Sequence, residues 1–381
     1  MDFSLSQEQQ AMADAARRFA QQKLKPGYRT RESAGCIERD LVREMGELGF
    51  LGAELPQEQG GLGADCVTAG VLLEEICAGD FNVGYVSLLV SLCGQIIARH
   101  AAPATAREWL PQVIAGSALP ALALTEPQAG SDAARLKLKA RADGDSYRLD
   151  GEKTSISLAT QADVAVVFAR TGAEADGAKG ISAFLVDLNT AGIARSAFAD
   201  LGSRAVGRGS IFFDGVRVPR SHLLGELNRG FVQVMHGFDY SRALIGLQCL
   251  ALARISLDET WAYCSERTAF GKPLGAFQGV TFPLAECETQ YQAARWLCLR
   301  TLWLRDQGLP HSAEAAMCKW WAPKLAAEVV QQCLLTHGHG GYSSDLPFEQ
   351  RLRDVLGLQI GDGTAQIMKM IIARRMTGGE V

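Results

Sequence analysis

The sequence predicts an α+β protein in three regions: an N-terminal all-α domain over residues 1–120, a central antiparallel β domain over 121–226 and a C-terminal four-helix bundle over 227–381. Three observations predict it. Apolar residues recur at helical spacing in the first and last regions. Between them the period shortens, and β-branched or aromatic runs alternate with Gly, Asp and Asn turns. The order is unbroken by repeats or low-complexity tracts, and 381 residues suit two or three domains of roughly 150 each.

In the first region Ser6 followed by Gln9 has the form of a capping box and starts a helix. A second helix over 40–50 stops at Gly49 and Gly52, and Gly60-Gly61-Leu62-Gly63 is a loop. Helices over 67–78 and 84–99 are so apolar that they must pack against other helices or another chain. In the middle region strands are expected at 147–151, 163–169, 181–187 and 210–218, and short strands without intervening helices make a sandwich or barrel. Helical patterns return at 231–267, 275–307, 311–337 and 351–376, punctuated by Pro273, Gly308-Leu309-Pro310 and the stretch from Gly338 to Pro347. Four long helices with short connections make a bundle.

The net charge of −4 excludes a strongly basic nucleic-acid binder. With 48% hydrophobic and 21% charged residues the chain has the apolar surface to fold, which excludes wholesale disorder. No apolar run of 18 residues is apparent, so no membrane span is expected. The opening MDFSLSQEQQ lacks the basic-then-apolar pattern of a secretory leader, so a cytoplasmic protein is expected. The ten cysteines lie scattered in apolar stretches with no Cys-x-x-Cys pair, and read as reduced core thiols.

Five segments carry chemistry: Ala123-Leu-Thr-Glu-Pro-Gln-Ala-Gly-Ser-Asp132, Gly151-Glu-Lys-Thr-Ser-Ile-Ser157, Phe238-Asp-Tyr-Ser-Arg242, Glu266-Arg-Thr-Ala-Phe-Gly-Lys272 with Gln278, and Gly361-Asp-Gly-Thr-Ala-Gln366. In this order they resemble the signatures of the acyl-CoA dehydrogenase family of flavoproteins, and the resemblance covers essentially the whole chain. It implies FAD-dependent oxidation of an acyl-CoA thioester to its α,β-enoyl form. A base takes an α-proton while the β-hydrogen leaves as hydride to FAD N5. Such an α-proton is weakly acidic, so the site must hold the base in line and stabilise charge on the thioester oxygen.

The resemblance implies the following roles. Asp362 is the base, standing where most members have Glu; read alone, it is a solvated turn carboxylate. Some members carry the base before the Arg of Phe-Asp-x-x-Arg, which here is Ser241 and cannot serve. Leu124, Thr125, Gly130 and Ser131 approach the flavin and its pyrophosphate. Ser155 replaces the usual flavin-shielding Trp, and Ser157 keeps a hydroxyl near N5. Arg267, Phe270 and Gln278 reach the FAD of a neighbouring subunit. Thr364 and Gln366 bind FAD from the segment after the base, and His337 and His339 lie in a Gly-rich loop lining the cofactor, with no ligand set for a metal. Phe238, Asp239, Ser241, Arg242, Ser131 and Gly363 line the substrate, although Asp239 and Arg242 also read as an ordinary i, i+3 helix pair.

Asp in place of Glu resembles the cyclohexanecarboxyl-CoA dehydrogenases, which act on alicyclic thioesters. The small Gly361, where the family usually has Tyr, leaves room for a ring. The stretch Val83 to Cys93 has no second acid, although Asp80 lies just before it, and this favours oxidation of a saturated ring to cyclohex-1-ene-1-carboxyl-CoA. A short branched-chain acyl-CoA dehydrogenase and a non-catalytic flavin- or acyl-CoA-binding protein are the alternatives. Electron transfer flavoprotein is the expected acceptor and a homotetramer the expected assembly.

Overall fold

A computed structural model describes residues 4–379; residues 1–3 and 380–381, the ends of the expected outer domains, lie outside the described residues. The N-terminal helices are α1 (Gln7–Phe19), α2 (Tyr28–Ala34), α3 (Arg39–Glu47), α4 (Cys66–Gly79), α5 (Phe81–His100) and α6 (Pro103–Ile114). Local polar chemistry sets their starts. The Ser6 hydroxyl accepts from the Gln9 N–H at 3.1 Å, and the Gln9 side chain accepts from the Ser6 N–H at 2.9 Å. Asp65 caps α4 and Asp80 caps α5 in the same manner. Most residues of α4 and α5 are buried. Contrary to expectation, α5 is long and apolar enough to cross a bilayer, with a mean hydropathy of 1.6. Yet 89% of that window is buried inside the protein, where α5 packs against α4, α6 and α7. An all-round apolar helix suits a protein core as well as a bilayer, and α5 lies in the core.

The middle region holds β1 (Pro120–Ala123), β2 (Lys139–Asp143), β3 (Ser146–Ile156), β4 (Val164–Arg170), β5 (Ile181–Asp187), β6 (Ile193–Ala197), β7 (Gly209–Pro219) and β8 (Leu223–Leu224). They form one sheet in the order β6-β7-β3-β2-β4-β5-β8, with β1 beside β4. Most pairings are antiparallel, but β1 runs parallel to β4, as does the single pairing of β2 with β4. Strand β4 is buried along its whole length, which explains its unbroken apolar run. Gly144, at φ +59°, turns the chain between β2 and β3.

The C-terminal region opens on α7 (Gly230–Glu266), followed by the short hairpin β9 (Thr268–Ala269) and β10 (Lys272–Pro273). Then come α8 (Gln278–Asp306), α9 (Ser312–Thr336), the short α10 (His339–Tyr342), α11 (Phe348–Gly357) and α12 (Ala365–Met376). The expected fourth helix over 351–376 is thus two helices. Gly357 ends the first, and the second begins at Thr364, whose hydroxyl caps it. Between them Asp362 and Gly363 take φ of +54° and +103°, values no α-helix admits. Eight of the ten cysteines are buried; Cys287 is half-buried and Cys36 is exposed, against the expectation that all are core thiols.

A buried polar cluster joins the three regions. The Asp354 carboxylate on α11 accepts from the Tyr28 hydroxyl at 2.6 Å, the Asn82 amide at 3.2 Å and the Ser203 N–H at 2.5 Å. Next to it the Arg31 guanidinium donates to Asp80 at 2.6 Å. Helices α2 and α5, the β6–β7 loop and α11 are fixed to one another just ahead of the 358–364 turn.

Candidate active site

The turn between α11 and α12 places Asp362 in a half-buried position facing the middle region and α7. Burial pushes its carboxyl above the usual range, while the fields of Lys319, Arg242 and Arg208 pull it down. These cations come from three elements: α9, α7 and the loop before β7. Tyr85 and Cys93 of α5 feel the Asp362 charge as well, so the N-terminal region closes the fourth side. Asp80, the acid nearest that stretch in sequence, is committed to Arg31 and to the start of α5.

Arg208 links Asp362 to the β3 motif. It directly precedes Gly209, which pairs with Ile156 across the β3–β7 ladder. Ser157 follows Ile156 and is half-buried, whereas Ser155 is exposed and holds a left-handed φ of +57°. The Ala123–Asp132 segment leaves the end of β1 and is tied to β3 beside it: the Thr154 N–H donates to the Thr125 carbonyl at 2.9 Å. Lys153, fully buried, donates to the Leu124 carbonyl at 2.9 Å and to Glu126 at 2.7 Å. Glu126 also accepts the N–H groups of Lys137 and Leu138 at 2.6 and 2.8 Å. Burial pushes Glu126 up, but Lys153 and these N–H groups outweigh it and hold the carboxyl below its usual range. Burial pushes Lys153 down to about 8, so both partners stay ionised at neutral pH. Gly130 and Ser131 are exposed beyond this clamp, and a Cβ on Gly130 would meet no atom within 4 Å, leaving its backbone open to close approach.

On α7 the Arg242 guanidinium is buried, lies over the Phe238 ring at 5.8 Å and donates to Asp239 at 2.9 Å. Its Nε has no hydrogen-bond partner among the described residues. Asp239 also accepts from the Ser312 hydroxyl at 2.5 Å, and Ser241 is fully buried against its own helix. Arg267, Phe270 and Gln278 lie at the opposite end of α7, before, in and after the β9–β10 hairpin. Arg267 stands roughly 25 residues, hence about 37 Å of helix, from Arg242, and Phe270 and Gln278 follow it. All three are exposed, Phe270 to 95%. Within one chain they cannot join the Asp362 cluster. Thr364 spends its hydroxyl on the α12 cap, while Gly363 is half-buried and Gln366 exposed beside it. His337 is buried, stacked between Tyr263 and Phe348 at 4.2 and 4.4 Å, and lies in the packed end of α9 rather than in a loop; His339 is exposed at the start of α10. A surface cavity of about 580 Å³ lies elsewhere, between α1, α4, α7 and α8, and is lined by paired charges such as Arg295 with Glu74.

Sequence reasoning passed over Lys319, Arg208, Tyr85 and the Lys153–Glu126 pair. Lys319 had a signal, since it falls on the buried face of α9 with Ala315, Ala316, Cys318 and Ala322. The Lys153 signal was its place in a strand whose neighbours at 149 and 156 are apolar core.

Three family descriptions match in succession: acyl-CoA dehydrogenase N-terminal domain over residues 6–117, middle domain over 121–216 and C-terminal domain over 228–377. The chain belongs to the acyl-CoA dehydrogenase family. It is an oxidoreductase of that family, whose cofactor is FAD and whose substrates are acyl-CoA thioesters. It is 31% identical to the short-chain-specific acyl-CoA dehydrogenase of Clostridium acetobutylicum, over 99% of this chain and all of that one. It is 33% identical to the glutaryl-CoA dehydrogenase of Desulfococcus multivorans, over 99% and 98%. The solved butyryl-CoA dehydrogenase from Megasphaera elsdenii superposes with a TM-score of 0.95 at 31% identity, over 99% and 100%. The chain's own residues fit the cofactor: an open backbone at Gly130, a fixed Leu124–Thr125 peptide, the accessible edge at Ser155 and a half-buried Ser157 hydroxyl. FAD, when bound, supplies the acceptor for the two electrons and the β-hydrogen.

Proposed function

We propose that the protein dehydrogenates the α,β-bond of a short cyclic or branched acyl-CoA, with Asp362 as the base that takes the α-proton. The observation that carries this is the Asp362 carboxyl, raised by burial and held against that rise by Arg242, Lys319 and Arg208. A carboxylate raised by burial is a stronger base than a solvated one, which favours proton abstraction. The Asp362 N–H, in its left-handed turn, is the donor for charge developing on the thioester oxygen. Arg242, Phe238 and Asp239 orient the substrate arm. Leu124, Thr125, Ser131, Ser157, Thr364 and Gln366 hold the flavin of one subunit, and the remote Arg267, Phe270, Gln278 and His339 serve a neighbour's, which requires a homo-oligomer, a tetramer by family analogy. The setting is cytoplasmic, with electron transfer flavoprotein as acceptor.

Cyclohexane-1-carboxyl-CoA is the favoured substrate and cyclohex-1-ene-1-carboxyl-CoA its product. The support is Gly361. A Cβ there would meet only the Gly357 carbonyl, at 3.7 Å, and its φ is ordinary, so neither sterics nor backbone calls for glycine. The space beside the base is then free for a ring at Cα. Short branched acyl groups are the second reading, since a relative named short-chain specific aligns with this chain along its whole length. Anaerobic flavin reduction across straight, branched and cyclic acyl-CoAs decides. Fast bleaching by butyryl-CoA or isobutyryl-CoA with none by the cyclohexane thioester rejects the ring. Asp362→Asn is expected to keep FAD and lose reduction by every substrate.

A further inference from the structure

Lys319 is an unusual residue to find where it is. Its side chain is 1% exposed, on the face of α9 that packs against the 358–364 turn. Its ammonium donates to the Leu358 carbonyl at 2.7 Å and to the Gly363 carbonyl at 3.1 Å. Among the described residues no carboxylate lies within ion-pair distance of it. Burial pushes it down to about 8, with the Asp362 charge opposing. The two carbonyls bracket Asp362. Leu358 follows the last residue of α11, where the helix leaves unpaired carbonyls and a partial negative charge. Gly363 is the far side of the left-handed kink.

We infer that Lys319 is the positioning residue of the base: it clamps both ends of the turn that aims the Asp362 carboxylate and N–H, and brings a buried ammonium to that turn. This rests on the reading of Asp362 as base. A left-handed aspartate costs about 1–2 kcal/mol and persists only where its surroundings over-determine it. The clamp does so without touching the substrate. The groups facing Asp362 are Lys319 from α9, Arg242 from α7, Arg208 from the loop before β7, and Tyr85 and Cys93 from α5; Cys249 and Arg242 in turn face Lys319. Lys319 alone of the three cations also bonds the turn's backbone.

The test uses the FAD-loaded enzyme and Lys319→Gln and Lys319→Met beside Asp362→Asn. The rate of anaerobic flavin reduction by an acyl-CoA is followed from pH 5 to 9, with FAD content, thermal midpoint and the Kd of the enoyl-CoA product as independent readouts. Both Lys319 variants lose a positive neighbour, so Asp362 titrates higher and the rising limb of the rate moves to higher pH. Lys319→Gln, which keeps one donor to a turn carbonyl, recovers most of its rate above that limb. Lys319→Met stays about tenfold or more slower at every pH, because a turn misplaced by a fraction of an ångström costs alignment. FAD content and enoyl-CoA Kd stay within about twofold. Should both folded variants show an unshifted limb and wild-type plateau, with only the thermal midpoint lowered, Lys319 is a structural cap and the inference falls. Reduction surviving in Asp362→Asn sinks instead the reading of Asp362 as base. Should Lys319→Met fail to fold, Lys319→Gln alone decides through its limb.

Discussion

The clamp between Lys153 and Glu126 makes a quantitative prediction. Both side chains are inaccessible, at 0% and 3%. Lys153→Met keeps the volume, removes the cation and orphans the Leu124 carbonyl. Glu126 keeps the N–H groups of Lys137 and Leu138 and the Gln128 amide. A buried ion left by its partner costs about 3–5 kcal/mol, and these donors hold the cost to the lower half of that range. Glu126→Gln is the milder change. Lys153 is already pushed down to about 8, so it can shed its proton near pH 7 at about 1.4 kcal/mol per unit. The double variant has neither charge to solvate. It is therefore expected to be more stable than Lys153→Met alone, with a coupling of about 1–3 kcal/mol.

The assay is the thermal midpoint by circular dichroism, with flavin fluorescence reporting FAD release. Lys153→Met should lower the midpoint by about 6–8 °C at roughly 2 °C per kcal/mol, and release FAD early. The sign with pH is fixed. Without Lys153, the folded pKa of Glu126 rises above its unfolded value, so the native state binds more protons and stability falls as pH rises. The deficit should be smaller at pH 5 than at pH 8. A midpoint within a degree of wild type, or a double variant worse than either single, would refute the argument that the pair is held by mutual compensation.

Other expectations are simpler. Asp354, pushed up to about 7 chiefly by burial, contributes stability that falls as pH rises from about 4 to 7, because the native state holds a proton the unfolded chain releases. Asp354→Asn should flatten the wild-type midpoint over that window. Gly361→Tyr should leave the midpoint within about a degree but cut reduction by a cyclic acyl-CoA at least tenfold against a linear one, and equal losses would remove the case for a ring. Gly209→Ala drives a Cβ into the Ser196 carbonyl, so β6 must part from β7 at a cost of about 2 kcal/mol or more, read as a lowered midpoint.

How much of this was legible in the sequence depends on the range of each interaction. Ser6 with Gln9, the apolar α4 and α5, and strand β5 at 181–187 follow from neighbours a few residues apart, and period alone finds them. The parallel partner of β1 could not be found so, since Pro120 meets Val164 only in the folded sheet. The split near 360 was written in Gly357, Gly361 and Gly363, yet Val355, Leu356, Leu358, Ile367 and Met368 kept an apolar rhythm that reads as one helix. Motif resemblance placed Asp362 in that break. It could not supply Lys319, 43 residues earlier in sequence, or Arg208 from another domain. A turn that must hold a half-buried acid in a left-handed conformation cannot be stabilised by its own few residues, with a glycine on either side of the acid. Its determinants have to come from elements that arrive from elsewhere. The residue doing the chemistry is therefore more legible in the sequence than the residues that make the chemistry possible.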